Sequence, residues 1–166
     1  MTEPDASGSA ICSQFGAALD MLENAIRACP DDLWGDTSRE PQFWYLAYHA
    51  LFFVDLYLSE SEEGFKPPEP YTLSEFDPSG LMPPRVYTRP ELLAYLDHDR
   101  RKFVALRGGL SAAALAAPRR FGSIAGSLAE VLIYNLRHIQ HHTAQLNLVL
   151  RQVTRSAPKW VGRAKS

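Results

Sequence analysis

Phe43-Trp-Tyr-Leu-Ala-Tyr-His49-Ala-Leu-Phe-Phe-Val-Asp55-Leu-Tyr-Leu58 is a sixteen-residue apolar run interrupted by one histidine and one aspartate. It is shorter than the roughly 20 residues a helix needs to cross a bilayer, so it predicts a deeply buried helix rather than a membrane span. Apolar side chains lie on nearly all its sides, and such a helix needs neighbours on both faces. Pro41, favoured in a first helical turn, predicts a start near residue 41, and Gly64 offers a left-handed stop after about Glu62.

Three more helices can be drawn around it. The first runs from about Ser9 to Ala28, with Ile11, Phe15, Leu19, Leu22 and Ile26 recurring every three or four positions before Pro30 and Asp31-Asp32 end it. The third opens at Thr88-Arg-Pro-Glu91, a capping box in which hydroxyl and carboxylate satisfy exposed backbone N–H groups reciprocally. Its stripe is Leu92, Leu96, Phe103 and Leu106; Gly108-Gly109 breaks it, and 111–117 adds a short helical turn or two. The fourth runs from about Ser123 to Gln152. No stretch alternates as a strand between hairpin turns, so the fold class is all-α. From Gly64 to Tyr87 the chain carries six prolines, among them Pro67, Pro68, Pro83 and Pro84, which exclude a continuous helix. Phe65, Tyr71, Leu73, Phe76, Leu81 and Met82, spread among them, predict that this long segment packs as an ordered lid or crossover. The expectation is a four-helix bundle with a Pro-rich crossover between helices 2 and 3. If the crossover makes those two parallel, helices 2 and 4 run oppositely.

The 166 residues are read as one domain, with 1–8 flexible and 155–166 a tail whose Pro158, Trp160 and Val161 could dock on the bundle. Seventeen basic against nineteen acidic residues leave no basic excess, so nucleic acid is not an expected partner, and no membrane segment is predicted. Cys12 and Cys29 have no Cys-x-x-Cys spacing and no secretory leader is read before them. They predict reduced core thiols in a cytoplasmic protein.

Three of the five histidines fall in Asn135-Leu-Arg-His138-Ile-Gln-His141-His142-Thr-Ala-Gln145-Leu146. His138 and His142, four apart, share one helical face, a spacing that lets two imidazoles close on one metal ion. Both fall within or beside the apolar stripe of Leu128, Val131, Leu132, Leu146 and Val149. His141 points roughly 130° from its centre at about 100° per residue, which predicts a rim position. Asn135 and Gln145 lie on the inward face too, as hydrogen-bonding or pocket residues beside the pair. A lone histidine on an apolar face is more often a satisfied core residue than a ligand; the pair reverses that ranking and brings His49 in as a third ligand. Counted at about 1.5 Å per residue, His49 falls within one or two turns of the pair's level. Three imidazoles leave a divalent ion with open positions, as catalytic sites do, and they suit zinc, nickel, iron or copper. A zinc protease is disfavoured because Ile139 stands where the general-base glutamate would follow the first histidine. The run Asp97-His98-Asp99-Arg100-Arg101-Lys102 reads as a solvated face, with Asp99 at the edge of the apolar stripe. Asp55 points well away from His49. Tyr71, Tyr87 and Tyr134 could reach a pocket.

A central histidine in helix 2, then His-x-x-x-His and Gln-Leu in the last helix, here His49, His138, His142 and Gln145-Leu146, resembles the DinB-like (DinB/YfiT-like) family. The Pro-rich connection before Thr88 is similar as well. The resemblance covers nearly the whole chain and implies an up-down-down-up four-helix bundle, often a homodimer, with a divalent metal on the three histidines. It also implies a metal-dependent transferase that activates a low-molecular-weight thiol cosubstrate, or water, against a small-molecule substrate. Some isomerase relatives replace the first histidine of the helical pair by an acid; this chain keeps His138. Thr143-Ala144 stands where many members carry Arg-Gly, so no arginine role carries over. The alternative is a non-catalytic metal-binding or stress-associated homodimeric bundle.

Overall fold

The structure, a computed structural model, describes residues 6–164. It is mostly helical: α1 (Ala6–Ala28), α2 (Asp31–Trp34), α3 (Phe43–Tyr57), α4 (Arg89–Arg107), α5 (Ala112–Ala116) and α6 (Leu128–Thr154), with a two-stranded sheet of β1 (Pro118–Phe121) and β2 (Ile124–Ser127). The all-α class holds, with three departures. Residues 6–8, expected to be flexible, already belong to α1, while residues 1–5 lie outside the described residues. The buried helix is shorter than expected at both ends, beginning after Gln42 and ending at Tyr57. The residues given to the start of the last helix are instead an antiparallel hairpin pairing Pro118 with Ser127 and Phe121 with Ile124. Its two-residue loop is Gly122-Ser123, and Gly122 has φ +54°, a conformation that a tight two-residue hairpin turn asks of glycine. Strands of four residues are too short to show an alternation, which is why the hydrophobic pattern missed them.

Twelve of the fifteen residues of α3 are buried, and α3 is covered by α4 on one side and α6 on another. The three exceptions, Tyr45, His49 and Phe53, recur every four positions and form one half-buried stripe. Helices α1 and α4 pack together, as do α1 and α6. The rings of Phe15 and Phe103 stack at 4.4 Å between α1 and α4, and Arg100 bridges Asp20 and Glu23 at 2.7 and 2.8 Å. Contacts along α3 and α6 run in opposite order: His49 meets His138, Val54 meets Asn135, and Tyr57 meets Tyr134. Along α3 and α4 they run in the same order, from Trp44 and Tyr87 just before α4 to Asp55 and Lys102. The Pro-rich segment makes that parallel arrangement. Tyr71 stacks on Tyr95 at 4.1 Å and its hydroxyl donates to the Glu91 carbonyl, while the Tyr48 hydroxyl donates to the Thr72 carbonyl at 2.9 Å. The segment is therefore pinned to both α3 and α4, although Leu81 and Met82 at its outer end are exposed.

Both long C-terminal helices start on complete capping boxes, Thr88 with Glu91 and Ser127 with Glu130. The charge run of α4 is not a solvated face. Asp97 and Arg101 are exposed, but Asp99 is buried, Arg100 holds α1, and His98 and Lys102 reach back to Asp55 on α3. Six residues cover more than one full turn of a helix packed against two neighbours, so some members of the charged stretch must face inward.

The tail docks, although Trp160 is 72% exposed: Pro158 and Val161 are half-buried, and Val161 lines a cleft with Asp20, Glu23 and Asn24 of α1. It holds α1 by backbone, Ala164 N–H donating to the Ser13 carbonyl and the Gln14 amide to the Gly162 carbonyl, both at 3.2 Å. A Cβ on Gly16 would lie 2.6 Å from the Ala164 Cβ, so this approach needs glycine. Gly16→Ala is expected to lift the tail and speed tryptic cleavage after Lys159 and Arg163. The melting temperature should hold or rise, since alanine favours a helix by about 0.8–1.0 kcal/mol over glycine. Unchanged cleavage rates would refute the docking.

Candidate metal centre

The half-buried stripe of α3 brings His49 against α6, where His138 and His142 stand one turn apart. His138 Nε2 lies 3.3 Å from His49 Nε2 and 3.1 Å from His142 Nε2, and one nitrogen from each ring lies within 4.8 Å of the others. The three side chains could hold a metal ion. Two ligands each about 2.0–2.1 Å from a tetrahedral ion are about 3.3 Å apart by simple geometry, so these separations match ligands of one ion. His141 is exposed and outside the group, as its helical position predicted.

Hydrogen bonds at the other ring nitrogens fix which way the lone pairs point. His49 Nδ1–H donates to the Glu75 carboxylate at 2.6 Å, and His142 Nδ1–H donates to the Gln145 side-chain oxygen at 2.7 Å. A carboxylate and an amide oxygen only accept, so in its neutral form each of these histidines presents a bare Nε2 to the centre. His138 could donate a proton from its own Nε2 to one of them, leaving the other lone pair facing lone pairs. Its Nδ1 is buried with no partner. This donor set fits a cation: converging lone pairs on neutral rings, two of them held by outer hydrogen bonds of the kind that orient metal-ligating histidines.

For His138 and His142 the environment favours the neutral ring. Burial, then the charges that His142 and His49 would carry, lowers the His138 pKa from 6.5 to about 3. Burial, then His49, lowers His142 to about 4. Phe53 and Tyr57 wall the site, their rings 5.4 and 6.4 Å from His138. His49 is 26% exposed, so the centre is not sealed. An open pocket of about 440 Å³ lies at the α6 surface beside His138, lined also by Tyr134, Arg137, Gln140 and His141.

Sequence reasoning missed Glu75. It lies 26 residues from His49 on the 3-10 turn Ser74–Phe76 of the Pro-rich segment, and only 3% of its side chain is exposed. An acid between a serine and a phenylalanine in a loop carries no periodicity that would mark it. Asn135 is fully buried, and its Nδ2 donates to the Val54 carbonyl at 3.3 Å rather than to an imidazole. Of the tyrosines, Tyr71 and Tyr87 are core residues and Tyr134 borders the α6 pocket. Both cysteines are free, and burial pushes the Cys29 thiol up to about 12, which leaves it unreactive.

A mostly helical chain whose antiparallel helices bring three imidazoles to one point defines a class of candidate metal-binding helical proteins. The DinB superfamily model matches residues 14–146, which span α1 through most of α6 and contain all three histidines, and the chain belongs to that superfamily. No curated protein is similar enough to count as a match. Among the described residues no helix is long and apolar enough to cross a membrane.

Because the folded state holds His138 and His142 neutral, protons bind the unfolded chain first. Their contribution to stability is present above about pH 6.5 and is lost as pH falls toward their folded pKa values near 4 and 3. Thermal melts of chelator-treated protein should therefore show the melting temperature falling from pH 6.5 to 4, with a shallower fall in His142→Gln. Equal slopes would contradict the burial argument.

Proposed function

We propose that this protein is a metal-dependent enzyme that holds a divalent transition metal, zinc, nickel or iron, on His49, His138 and His142 and uses it to transfer groups from or to a small molecule. The observation that carries this reading is that the Nε2 atoms of His49 and His142 lie 3.3 and 3.1 Å from that of His138, with outer hydrogen bonds on two of the rings. Three protein ligands leave coordination positions open, as in catalytic rather than structural zinc sites. A divalent ion there supplies a lowered pKa for a low-molecular-weight thiol or for water, the chemistry that the family resemblance implies. Glu75 and Gln145 orient the His49 and His142 rings, Phe53 and Tyr57 exclude water from one side, and Arg137 and His141 at the α6 pocket supply donors for a polar substrate group. The partial exposure of His49 favours an enzyme over a sealed structural site, because a reacting molecule needs access to the ion. No glutamate follows His138, so peptide hydrolysis in the manner of zinc proteases is not part of the reading.

The wider frame of the proposal is an up-down-down-up four-helix bundle formed by α1, α3, α4 and α6, assembled as a homodimer in the cytoplasm. The opposite order of contacts between α3 and α6 and the parallel order between α3 and α4 support that topology. Two free, buried or half-buried thiols support a reducing compartment.

Protein purified without a polyhistidine tag should carry about one metal ion per chain at this centre, and His142→Ala should remove it; near-zero metal in the parent protein overturns the reading. Glu75→Ala should weaken metal affinity about 10- to 100-fold, the usual effect of deleting an outer partner of a ligating histidine, while leaving the ligands in place. Competition with a chromogenic chelator measures both. Catalysis is tested by incubating metal-loaded protein with cellular thiols and electrophiles, where turnover lost in His142→Ala is the expected result.

A further inference from the structure

A second polar cluster lies between α3 and α4, and the trihistidine chemistry does not use it. Asp55, 1% exposed, is its centre. One carboxylate oxygen accepts from Lys102 Nζ at 2.5 Å and lies 3.2 Å from His98 Nε2, and the other accepts from the Tyr95 hydroxyl at 3.1 Å. Lys102 Nζ also donates to the Asp55 carbonyl at 2.8 Å and to the Ser59 hydroxyl at 2.7 Å. Its three donors are thus all directed to oxygens, in the manner of a cation in a small oxygen cage.

Asp99 is what this arrangement leaves unexplained. It is completely buried, and neither carboxylate oxygen has a hydrogen-bond partner. One of those oxygens lies within 4.8 Å of a ligand atom of Asp55 and of His98. An unpartnered buried polar group costs on the order of 1–3 kcal/mol, and more for a charge, so such residues are kept for a partner. Lys102 does not supply it, being spent on Asp55 and Ser59. Burial, then the Asp55 charge, pushes the Asp99 carboxyl well above the usual carboxylate range, so it stays a neutral acid until positive charge arrives. Two carboxylates and one imidazole form a mixed oxygen and nitrogen ligand set on two adjacent helices. The cluster also has an entrance: a pocket of about 400 Å³ lined by Asp55, Ser59, Glu63, His98 and Lys102, into which the lysine could withdraw.

We propose that Asp55, His98 and Asp99 form a second divalent-cation site, with the Lys102 ammonium as the resident competitor for Asp55. The inference is independent of the trihistidine reading, since no residue is shared. The probe is Zn²⁺, which takes both imidazole nitrogen and carboxylate oxygen and so can fill either site. Equilibrium dialysis of the full chain, followed by elemental analysis, should find two equivalents in the parent protein, one in Asp99→Asn, one in His142→Ala and none in the double variant. The amide introduced by Asp99→Asn is nearly isosteric with the neutral acid, so a lost equivalent reports a lost ligand. Lys102→Met supplies the opposite sign, which misfolding cannot imitate: removing the competing charge should tighten the second equivalent about tenfold or more. A second equivalent that survives Asp99→Asn, a parent protein with no equivalent beyond the one His142→Ala removes, or unchanged affinity in Lys102→Met overturns the site and leaves Asp99 satisfied by water or its own proton. Failure of the trihistidine reading would show separately, as a His142→Ala stoichiometry equal to that of the parent protein.

Discussion

Helix α3 must carry two ionisable side chains, His49 and Asp55, through a core that otherwise admits almost nothing but hydrocarbon and aromatic rings. Six positions at about 100° each put them roughly 120° apart around the helix axis, so they cannot share a partner. Each has to be matched by a different neighbour: His49 by the histidines of α6, Asp55 by His98, Lys102 and Tyr95 of α4. That requirement sets the register of both contacts more sharply than the apolar surfaces could. Leucines and phenylalanines tolerate a shift of half a turn with repacking, whereas a displaced α4 would leave Asp55 buried and unpaired at a cost of several kcal/mol. The two polar points thus act as alignment pins on either side of the most apolar helix in the chain.

How far the sequence could reveal this depends on the range of each interaction. His138 and His142 were legible because their partnership lies within one helix, where the four-residue spacing is itself the geometry. His49 was legible because a histidine inside an otherwise almost wholly apolar run has no local explanation. The Thr88–Glu91 box was read from four consecutive residues, and the Ser127–Glu130 box has the same form but went unread because the helix start was placed about five residues too early. Helical-wheel reasoning separated His141 from its neighbours but failed on 97–102. A wheel places residues relative to one apolar stripe, while α4 touches α1 on one side and α3 on another, so His98, Arg100 and Lys102 face protein without lying on the stripe. Glu75 was out of reach for a different reason. Its meeting with His49 depends on how the Pro-rich segment folds back, and that path is set by Tyr71 and Tyr48 contacts that no local pattern encodes.

The Pro-rich segment therefore does more than connect. A shorter, tighter link between α3 and α4 would have to run them antiparallel, and the crossover is what lets Asp55 and Lys102 meet at the far end of a parallel pair. On its way it lays Thr72, Ser74 and Glu75 along α3. Ser74 is buried beside the Thr72 hydroxyl, 3.0 Å away, and this short network fixes the turn that carries Glu75. The parallel run of α3 and α4 and the orientation of one imidazole are consequences of the same stretch of chain.

Glu75 also decides the charge of the centre. Three neutral imidazoles contribute none, and among the described residues Glu75 is the carboxylate hydrogen-bonded to the cluster. It bonds the outer nitrogen of His49, so its negative charge sits a full ring's width from the point where the three Nε2 atoms converge. At that distance it orients the ring without occupying a coordination position. A divalent ion on such ligands would keep roughly one net positive charge, enough to favour a singly anionic ligand such as a thiolate or hydroxide over a neutral one. Had the acid been placed inside the ring of nitrogens, as a fourth ligand, the charge would be the same but the open position would be gone. Carrying the carboxylate on a loop behind His49, rather than on α6 beside His138, lets it orient the ring and offset charge while a coordination position would stay open, the feature that separates catalytic from structural zinc sites.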